Sequence, residues 1–139
     1  MGSPIGRLLI RQFNLFVNVM IPAGHRLTKP TNEQMAHYQK ALDSSARREA
    51  SAVFRREVTA SRAFLADVEV GLPNLAAVLT LIIWGDADIA FGGNELRRWE
   101  QTFTDHHTVI VEGAGHFVQS DAPEQFTAAI RDWHAPTGA

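Results

Sequence analysis

Residues 79–123 read LTLIIWGDADIAFGGNELRRWEQTFTDHHTVIVEGAGHFVQSDAP. Two apolar runs in this stretch, 79–84 and 108–111, each end in a turn that contains glycine and an ionisable side chain. Near-continuous apolar runs of this length are typical of strands covered by helices on both faces, as in parallel sheets. The stretch therefore predicts two parallel strands whose carboxyl ends carry the chemistry.

Helices are predicted between and after the two strands. Over 94–103, apolar residues recur at helical spacing and charged residues fill the other positions. A second helix is predicted from Pro123, because proline suits the first helical position and an apolar stripe follows it. Asp121 is predicted to cap the N-terminus of that helix. Strand, helix and strand in this order predict a βαβ unit in an α/β fold.

One ionisable side chain follows each predicted strand: Asp88 after the first and His116 after the second. Because the carboxyl ends of parallel strands meet at one edge of a sheet, we expect the two side chains to lie close together. A carboxylate bonded to an imidazole fixes the ring's tautomer and stabilises its protonated form. The pair therefore indicates two of the three members of a catalytic triad. Asp86, on the same turn as Asp88, is the alternative carboxylate.

Three motifs carry a resemblance to a known family: WGDAD at 84–88, GAGHF at 113–117 and APE at 122–124. Together they resemble the C-terminal third of an α/β-hydrolase, more narrowly of the haloalkane dehalogenase family, with the epoxide hydrolases next. RLLIR at 7–11 and FNLFVNVMIP at 13–22 are similar to the start of that family's helical cap. The resemblance implies a partial α/β-hydrolase fold, with a helical cap region at 1–74 and the last parallel βαβα unit of the core at 75–139. The N-terminal part of the sheet would then be missing.

The resemblance also implies roles for individual residues. His116, in the GH pair, maps to the general base, and Asp88, the third residue after Gly85, maps to the acid that orients it. This spacing favours Asp88 over Asp86. Four further residues are implied as candidates for the walls of the substrate pocket: Phe13, Phe16, Val17 and Phe117.

In the family that the chain resembles, a nucleophilic aspartate attacks a halogen-bearing carbon and expels halide. The histidine then draws a proton from the water that cleaves the resulting ester, and neither a metal nor an organic cofactor is required. The chain contains no G-x-S-x-G motif, and no aspartate lies in a comparable strand-to-helix turn ahead of Gly6. We therefore expect the base and the acid here, and the nucleophile in a missing N-terminal segment.

Two alternatives remain open at this stage. The acid and base are shared with epoxide hydrolases and esterase-like α/β-hydrolases, whose discriminating residues lie upstream. The second alternative is a non-catalytic, truncated remnant that associates with itself, because two parallel strands leave two exposed edges.

Composition restricts the partners. Of 139 residues, 45% are hydrophobic and 20% charged, and the formal charge of −2 argues against a nucleic-acid partner. No apolar run approaches the length that spans a membrane. The chain contains no cysteine, which fits a cytoplasmic protein. The expected partner is a small halogenated or epoxide substrate, together with the missing segment or a second copy.

The first half of the chain is predicted to be helical. One helix is expected over 6–19, ended by Pro22 and Gly24, and Thr31 opens a capping box for the next. A further helix, either continuous or broken, is expected over 44–68, where interleaved arginines and acids indicate a solvated face.

The remaining histidines suggest no metal site. His106 and His107 are adjacent at the predicted start of the second strand and would point to opposite faces, so we expect solvent-facing loop residues. His134 falls at the end of the last helix, where a positive charge interacts favourably with the helix dipole.

Overall fold

The computed structural model describes residues 4–135. The chain divides into two compact units, the first of Met1–Ala23 and Pro30–Val70, and the second of Gly24–Lys29 and Gly71–Ala139. The short segment Gly24–Lys29 lies within the predicted cap region in sequence, yet it belongs to the second unit.

The first unit is helical. Its helices are α1 (Pro4–Phe13), a π-helical turn (Phe16–Met20), α2 (Ile21–Gly24), α3 (Asn32–Ala41), α4 (Glu49–Ala60) and α5 (Arg62–Gly71). The capping box of α3 is confirmed, because the Thr31 hydroxyl accepts from the Gln34 N–H at 3.2 Å and the Gln34 side chain accepts from the Thr31 N–H at 2.8 Å. The predicted helix over 44–68 begins later, at Glu49, and is broken at Ser61.

The single helix predicted over 6–19 is wrong, because the chain turns at Asn14. Asn14 has a φ of 49°, a left-handed conformation that its short polar side chain tolerates better than most. Its side-chain amide donates to the carbonyl of Leu42 at 3.1 Å. Helical backbone then continues from the π-helical turn through Pro22 to Gly24.

The second unit contains the sheet. After a 3-10 turn (Leu72–Leu75) come β1 (Thr80–Gly85), α6 (Gly93–Thr102), β2 (His106–Val111), α7 (Val118–Asp121) and α8 (Pro123–His134). The strands pair in parallel, from Thr80 opposite His106 to Gly85 opposite Val111. The predicted βαβ unit and the helix that begins at Pro123 are therefore confirmed.

The loop assignment of His106 and His107 is wrong. Both residues pair with β1, so β2 begins two residues earlier than its apolar run. His106 is half-buried with Nδ1 2.6 Å from the carbonyl oxygen of Phe103, and His107 is exposed. Backbone hydrogen bonds between strands can include polar residues beyond an apolar run, and a hydrophobic pattern alone does not predict them.

The core of the second unit is small. Val111, Ala114 and Ala122 form a buried cluster, with Ile83 and Val118 half-buried against it. Within the described residues each strand has one strand neighbour, and Leu79 and Ile110 are 59% and 48% exposed. The same part of the chain contains no helix long and apolar enough to cross a membrane.

We expect Gly85→Ala to lower the free energy of unfolding by about 1–3 kcal/mol, the usual cost of overpacking. An added Cβ there would lie 2.4 Å from the carbonyl oxygen of Ala114, and backbone must move to admit it. Urea denaturation followed by circular dichroism measures the effect.

Gly71→Ala is the matched control. Apart from its chain neighbours and the backbone of its own helix, no atom lies within 4 Å of its added Cβ, and its φ of −78° and ψ of −20° are helical. We expect no loss of stability, or a gain of up to about 1 kcal/mol. Equal destabilisation by the two alanines would contradict the close approach of the two turns.

Candidate active site

The carboxyl ends of β1 and β2 bring Asp88 and His116 into contact. Asp88 Oδ2 lies 3.0 Å from His116 Nδ1, a hydrogen-bonding distance that links residues 28 positions apart. Parallel pairing of Gly85 with Val111 sets this contact, since each side chain follows its strand by a few residues. The juxtaposition that the sequence predicts is therefore present.

Backbone hydrogen bonds fix the other oxygen of Asp88. Its Oδ1 accepts from the N–H of Ala90 at 2.7 Å and of Phe91 at 3.2 Å. The Asp88 side chain is only 9% exposed, so its carboxylate cannot turn freely into solvent. Both oxygens are thus committed, one to the following turn and one to the imidazole.

The contact with Asp88 determines the tautomer of His116. An ionised carboxylate can only accept a hydrogen bond, so Nδ1 of the neutral ring carries the hydrogen and Nε2 carries the lone pair. The His116 side chain is 33% exposed. Two phenylalanine rings flank it, Phe117 edge-on at a centroid distance of 5.0 Å and Phe91 tilted at 5.4 Å. A neutral ring in this form can accept a proton at Nε2.

Asp86, the alternative carboxylate, has a different partner. Its Oδ1 accepts from the Gly113 N–H at 2.6 Å, and next to it the Ala87 N–H donates to the carbonyl of Ala114 at 3.0 Å. These bonds join the turn after β1 to the turn after β2. Asp86 therefore holds the two turns together, while Asp88 contacts the ring.

Asp121 is buried, at 1% exposure, and accepts four backbone hydrogen bonds. Its Oδ2 accepts from Gly115 at 2.7 Å and Arg26 at 2.8 Å, and its Oδ1 from Leu27 at 2.9 Å and Thr28 at 2.7 Å. Burial alone raises the pKa of Asp121, but these four N–H groups outweigh burial and hold the pKa below its ordinary value.

The predicted capping role of Asp121 is wrong. The residue that precedes α8 is Ala122, which makes no side-chain cap, and the Asp121 carboxylate points instead to the segment 26–28 and to Gly115. The Asp121 carboxylate accepts from four backbone N–H groups instead of from the N-terminus of α8. Three of these groups belong to residues more than 90 positions away in sequence.

His25 is a second buried group, and its spacing in the sequence predicts no partner for it. It is 2% exposed, its Nε2 lies 2.8 Å from Ser120 Oγ, and its ring stacks on Phe117 at 5.1 Å. The Lys29 ammonium donates to its carbonyl oxygen. No local signal marks these partners, because His25 and Ser120 are 95 residues apart.

The four predicted pocket residues fall in different units. Phe117 lies beside His116 in the second unit. Phe13, Phe16 and Val17 belong to the first unit, where they are exposed, half-buried and buried respectively. Their pocket role stays a prediction. Among residues 4–135 no three histidine, aspartate or glutamate side chains are grouped so as to hold a metal ion.

Known proteins similar to this chain include curated sequences and solved structures. Haloalkane dehalogenase 2 of Mycobacterium tuberculosis and its counterpart in Mycobacterium bovis are each 38% identical over 134 residues, which cover 94% of this chain and 46% of theirs. Haloalkane dehalogenase DbeA of Bradyrhizobium elkani superposes with a TM-score of 0.81 at 20% identity, covering 95% of this chain and 47% of that one. The chain forms the C-terminal part of a haloalkane dehalogenase-like α/β-hydrolase fold.

Two further known proteins match a similar share of this chain. Haloalkane dehalogenase DatA of Agrobacterium tumefaciens gives a TM-score of 0.78 at 21% identity, covering 95% of this chain and 47% of its own. Cis-3-alkyl-4-alkyloxetan-2-one decarboxylase of Shewanella oneidensis is 23% identical over 138 residues, or 96% of this chain and 43% of its own. No protein-family model matches. The chain spans about half the length of the proteins that it matches.

Asp121→Asn tests the buried carboxylate. An amide offers one acceptor oxygen where the carboxylate offers two, so we expect the free energy of unfolding at pH 7 to fall by about 1–3 kcal/mol. The pKa of Asp121 is lower in the folded chain than in the unfolded one, so its stabilisation is complete above about pH 4 and is lost as pH falls through the folded pKa.

Urea denaturation at a series of pH values should therefore show the gap between wild type and Asp121→Asn closing below about pH 4. Asp132→Asn, on the exposed side of α8, is the control and should stay within about 0.5 kcal/mol of wild type. A gap that persists unchanged into acid would rule out an ionised Asp121.

Proposed function

We propose that Asp88 and His116 are the orienting acid and the general base of a haloalkane dehalogenase-type hydrolase. The observation that carries this proposal is the 3.0 Å contact between Asp88 Oδ2 and His116 Nδ1 at the common edge of two parallel strands. The names of the relatives at 38% identity support this reaction class. The enclosed carboxylate and the partly exposed ring are suited to these two roles.

The proposed reaction has two steps. A nucleophilic carboxylate displaces halide from carbon and forms an ester. His116 Nε2 then takes a proton from water, whose oxygen bonds to the ester carbonyl carbon; the acyl–oxygen bond breaks, and the proton passes to the departing alcohol. Asp88 stabilises the imidazolium formed between these transfers.

We propose that the nucleophile lies in the part of the relatives that this chain does not span, supplied by an N-terminal segment or another chain. Two features support a missing neighbour. The chain corresponds to less than half of each relative's length. Within the described residues the sheet has two strands, and the apolar side chains of Leu79 and Ile110 are 59% and 48% exposed.

The proposed substrate is a small halogenated compound. An epoxide or an ester is the alternative within the same fold, because the acid and base would serve any ester intermediate. The decarboxylase of Shewanella oneidensis, at 23% identity, is a reason to include its substrate class in a test panel. Activity of the complemented protein on haloalkanes, epoxides, short esters and oxetan-2-ones decides among these classes.

The central experiment mixes this chain with a separately produced N-terminal half taken from a 38% identical relative and measures halide release. We expect release from the mixture and from neither part alone. Halide release by an intact relative under the same conditions, with none from the mixture, would argue against complementation.

His116→Gln tests the base separately from the nucleophile. In the mixture we expect at most one equivalent of halide, followed by accumulation of the ester, because halide leaves before the base acts. Mass spectrometry of the N-terminal half detects the added alkyl group. His107→Gln, an exposed residue of β2, is the control and should turn over normally. Unimpaired turnover by His116→Gln would contradict the proposed role.

Asp88→Asn and Asp86→Asn distinguish the two carboxylates. Replacing an orienting acid by its amide lowers kcat by roughly 10⁴-fold in a serine protease triad, and we expect a loss of that order for Asp88→Asn. Asp86→Asn keeps an acceptor oxygen for the Gly113 N–H and should retain most of the rate. The reverse ranking would transfer the acid role to Asp86.

Self-association is the second candidate function, favoured by the exposed apolar residues beside the two-stranded sheet. Size-exclusion chromatography with light scattering tests it. A dimer that the N-terminal half does not displace would support this candidate, and a well-behaved monomer would remove it.

A further inference from the structure

We infer that Asp121 is a positioning residue for His116, acting through the loop that carries the imidazole. The inference rests on the proposed function, which gives His116 its role as a base. Asp121 is buried and reaches the loop directly, since its Oδ2 accepts from the Gly115 N–H, one residue before His116.

The loop 113–117 is restrained on two sides. On the side of β1, Asp86 accepts from Gly113 and Asp88 accepts from the ring of His116. On the other side, Asp121 accepts from Gly115, and His25 stacks on Phe117. A side chain attached to a loop held on both sides has little freedom to leave the carboxylate that it contacts.

The second of these sides consists of Asp121, Ser120 and the segment Gly24–Lys29, which we call the anchor. Three successive N–H groups of the segment donate to Asp121, and Ser120 contacts His25. The fit is close, because a Cβ added to Gly115 would lie 2.1 Å from the carbonyl oxygen of Gly24. The anchor therefore sets where Gly115, and hence His116, lies relative to Asp88.

Charge explains why an aspartate is required. Each carboxylate oxygen of Asp121 accepts from two backbone N–H groups. Three of the four N–H groups belong to residues 26–28 and one belongs to Gly115. The NH2 group of an asparagine at this position would face backbone N–H groups, which can only donate, so these would lose their acceptor. The loop would then lose its hold on the segment, and the imidazole would sample orientations away from Asp88.

The test uses the ¹⁵N-labelled full chain and long-range ¹H–¹⁵N spectra, which report the tautomer of each histidine ring. The His116 signals are identified by their disappearance in His116→Gln. In wild type we expect neutral His116 in the Nδ1–H form, held by Asp88. In Asp121→Asn we expect this preference to be lost, with both tautomers populated.

Ile82→Ala is the matched control, because it destabilises the buried part of β1 without touching the anchor's hydrogen bonds. A merely structural role for Asp121 would leave the tautomer of His116 unchanged in every folded variant. A folded Asp121→Asn that keeps the Nδ1–H form, or an Ile82→Ala that loses it equally, overturns the inference.

A measurement on wild type covers the case in which Asp121→Asn does not fold. The Gly115 N–H donates to Asp121, and the Ala87 N–H donates to the carbonyl of Ala114. If loss of the bond to Asp121 also frees the loop from the turn after β1, these two hydrogen bonds open together. We expect their hydrogen-exchange protection to agree within roughly tenfold. Protection of Ala87 far above that of Gly115 overturns the inference.

These readouts do not depend on catalysis. Failure of the proposed function would appear as absent halide release from the complemented wild type, with the tautomer results as expected. Failure of the inference would appear as an unchanged tautomer in Asp121→Asn, whatever the activity.

Discussion

The parallel pairing of β1 with β2 is the constraint on which the site depends. It sets Gly85 beside Val111, so the chain leaves both strands at one edge and the two following turns are neighbours. The turns are then joined to each other by the bonds of Asp86 with Gly113 and of Ala87 with Ala114. The contact of Asp88 with His116 is a further connection between the same two turns. A shift of register by one residue would separate all of them at once.

Two carboxylates of this unit show how the same group is directed to different tasks. Asp88 divides its oxygens between two N–H groups of the following turn and an imidazole, a partner that can gain and lose a proton. Both oxygens of Asp121 accept from backbone N–H groups, which neither take up nor release a proton near neutral pH. The first arrangement suits proton transfer and the second suits rigidity, and the difference lies wholly in the partners.

The sequence was sufficient for the parts of the fold that local patterns encode. Apolar runs and glycine turns placed β1, β2 and the helix starting at Pro123, and with them the meeting of Asp88 and His116. Local patterns did not predict the roles that depend on residues distant in sequence. Asp121 has the position of a helix cap, but its carboxylate accepts from the N–H groups of 26–28. His25 has no neighbour in sequence that explains its burial. Asn14 interrupts an apolar periodicity that would otherwise continue, because a left-handed residue leaves no hydrophobic signature.

The second unit is discontinuous along the chain, since Gly24–Lys29 is inserted between two stretches of the first unit. A cut after Val70 would therefore not release a self-sufficient fragment. It would strip three of the four donors from Asp121 and leave a charged group to find water or a proton. Any dissection, gene fusion or domain exchange based on this fold has to carry the six-residue insert along with the sheet.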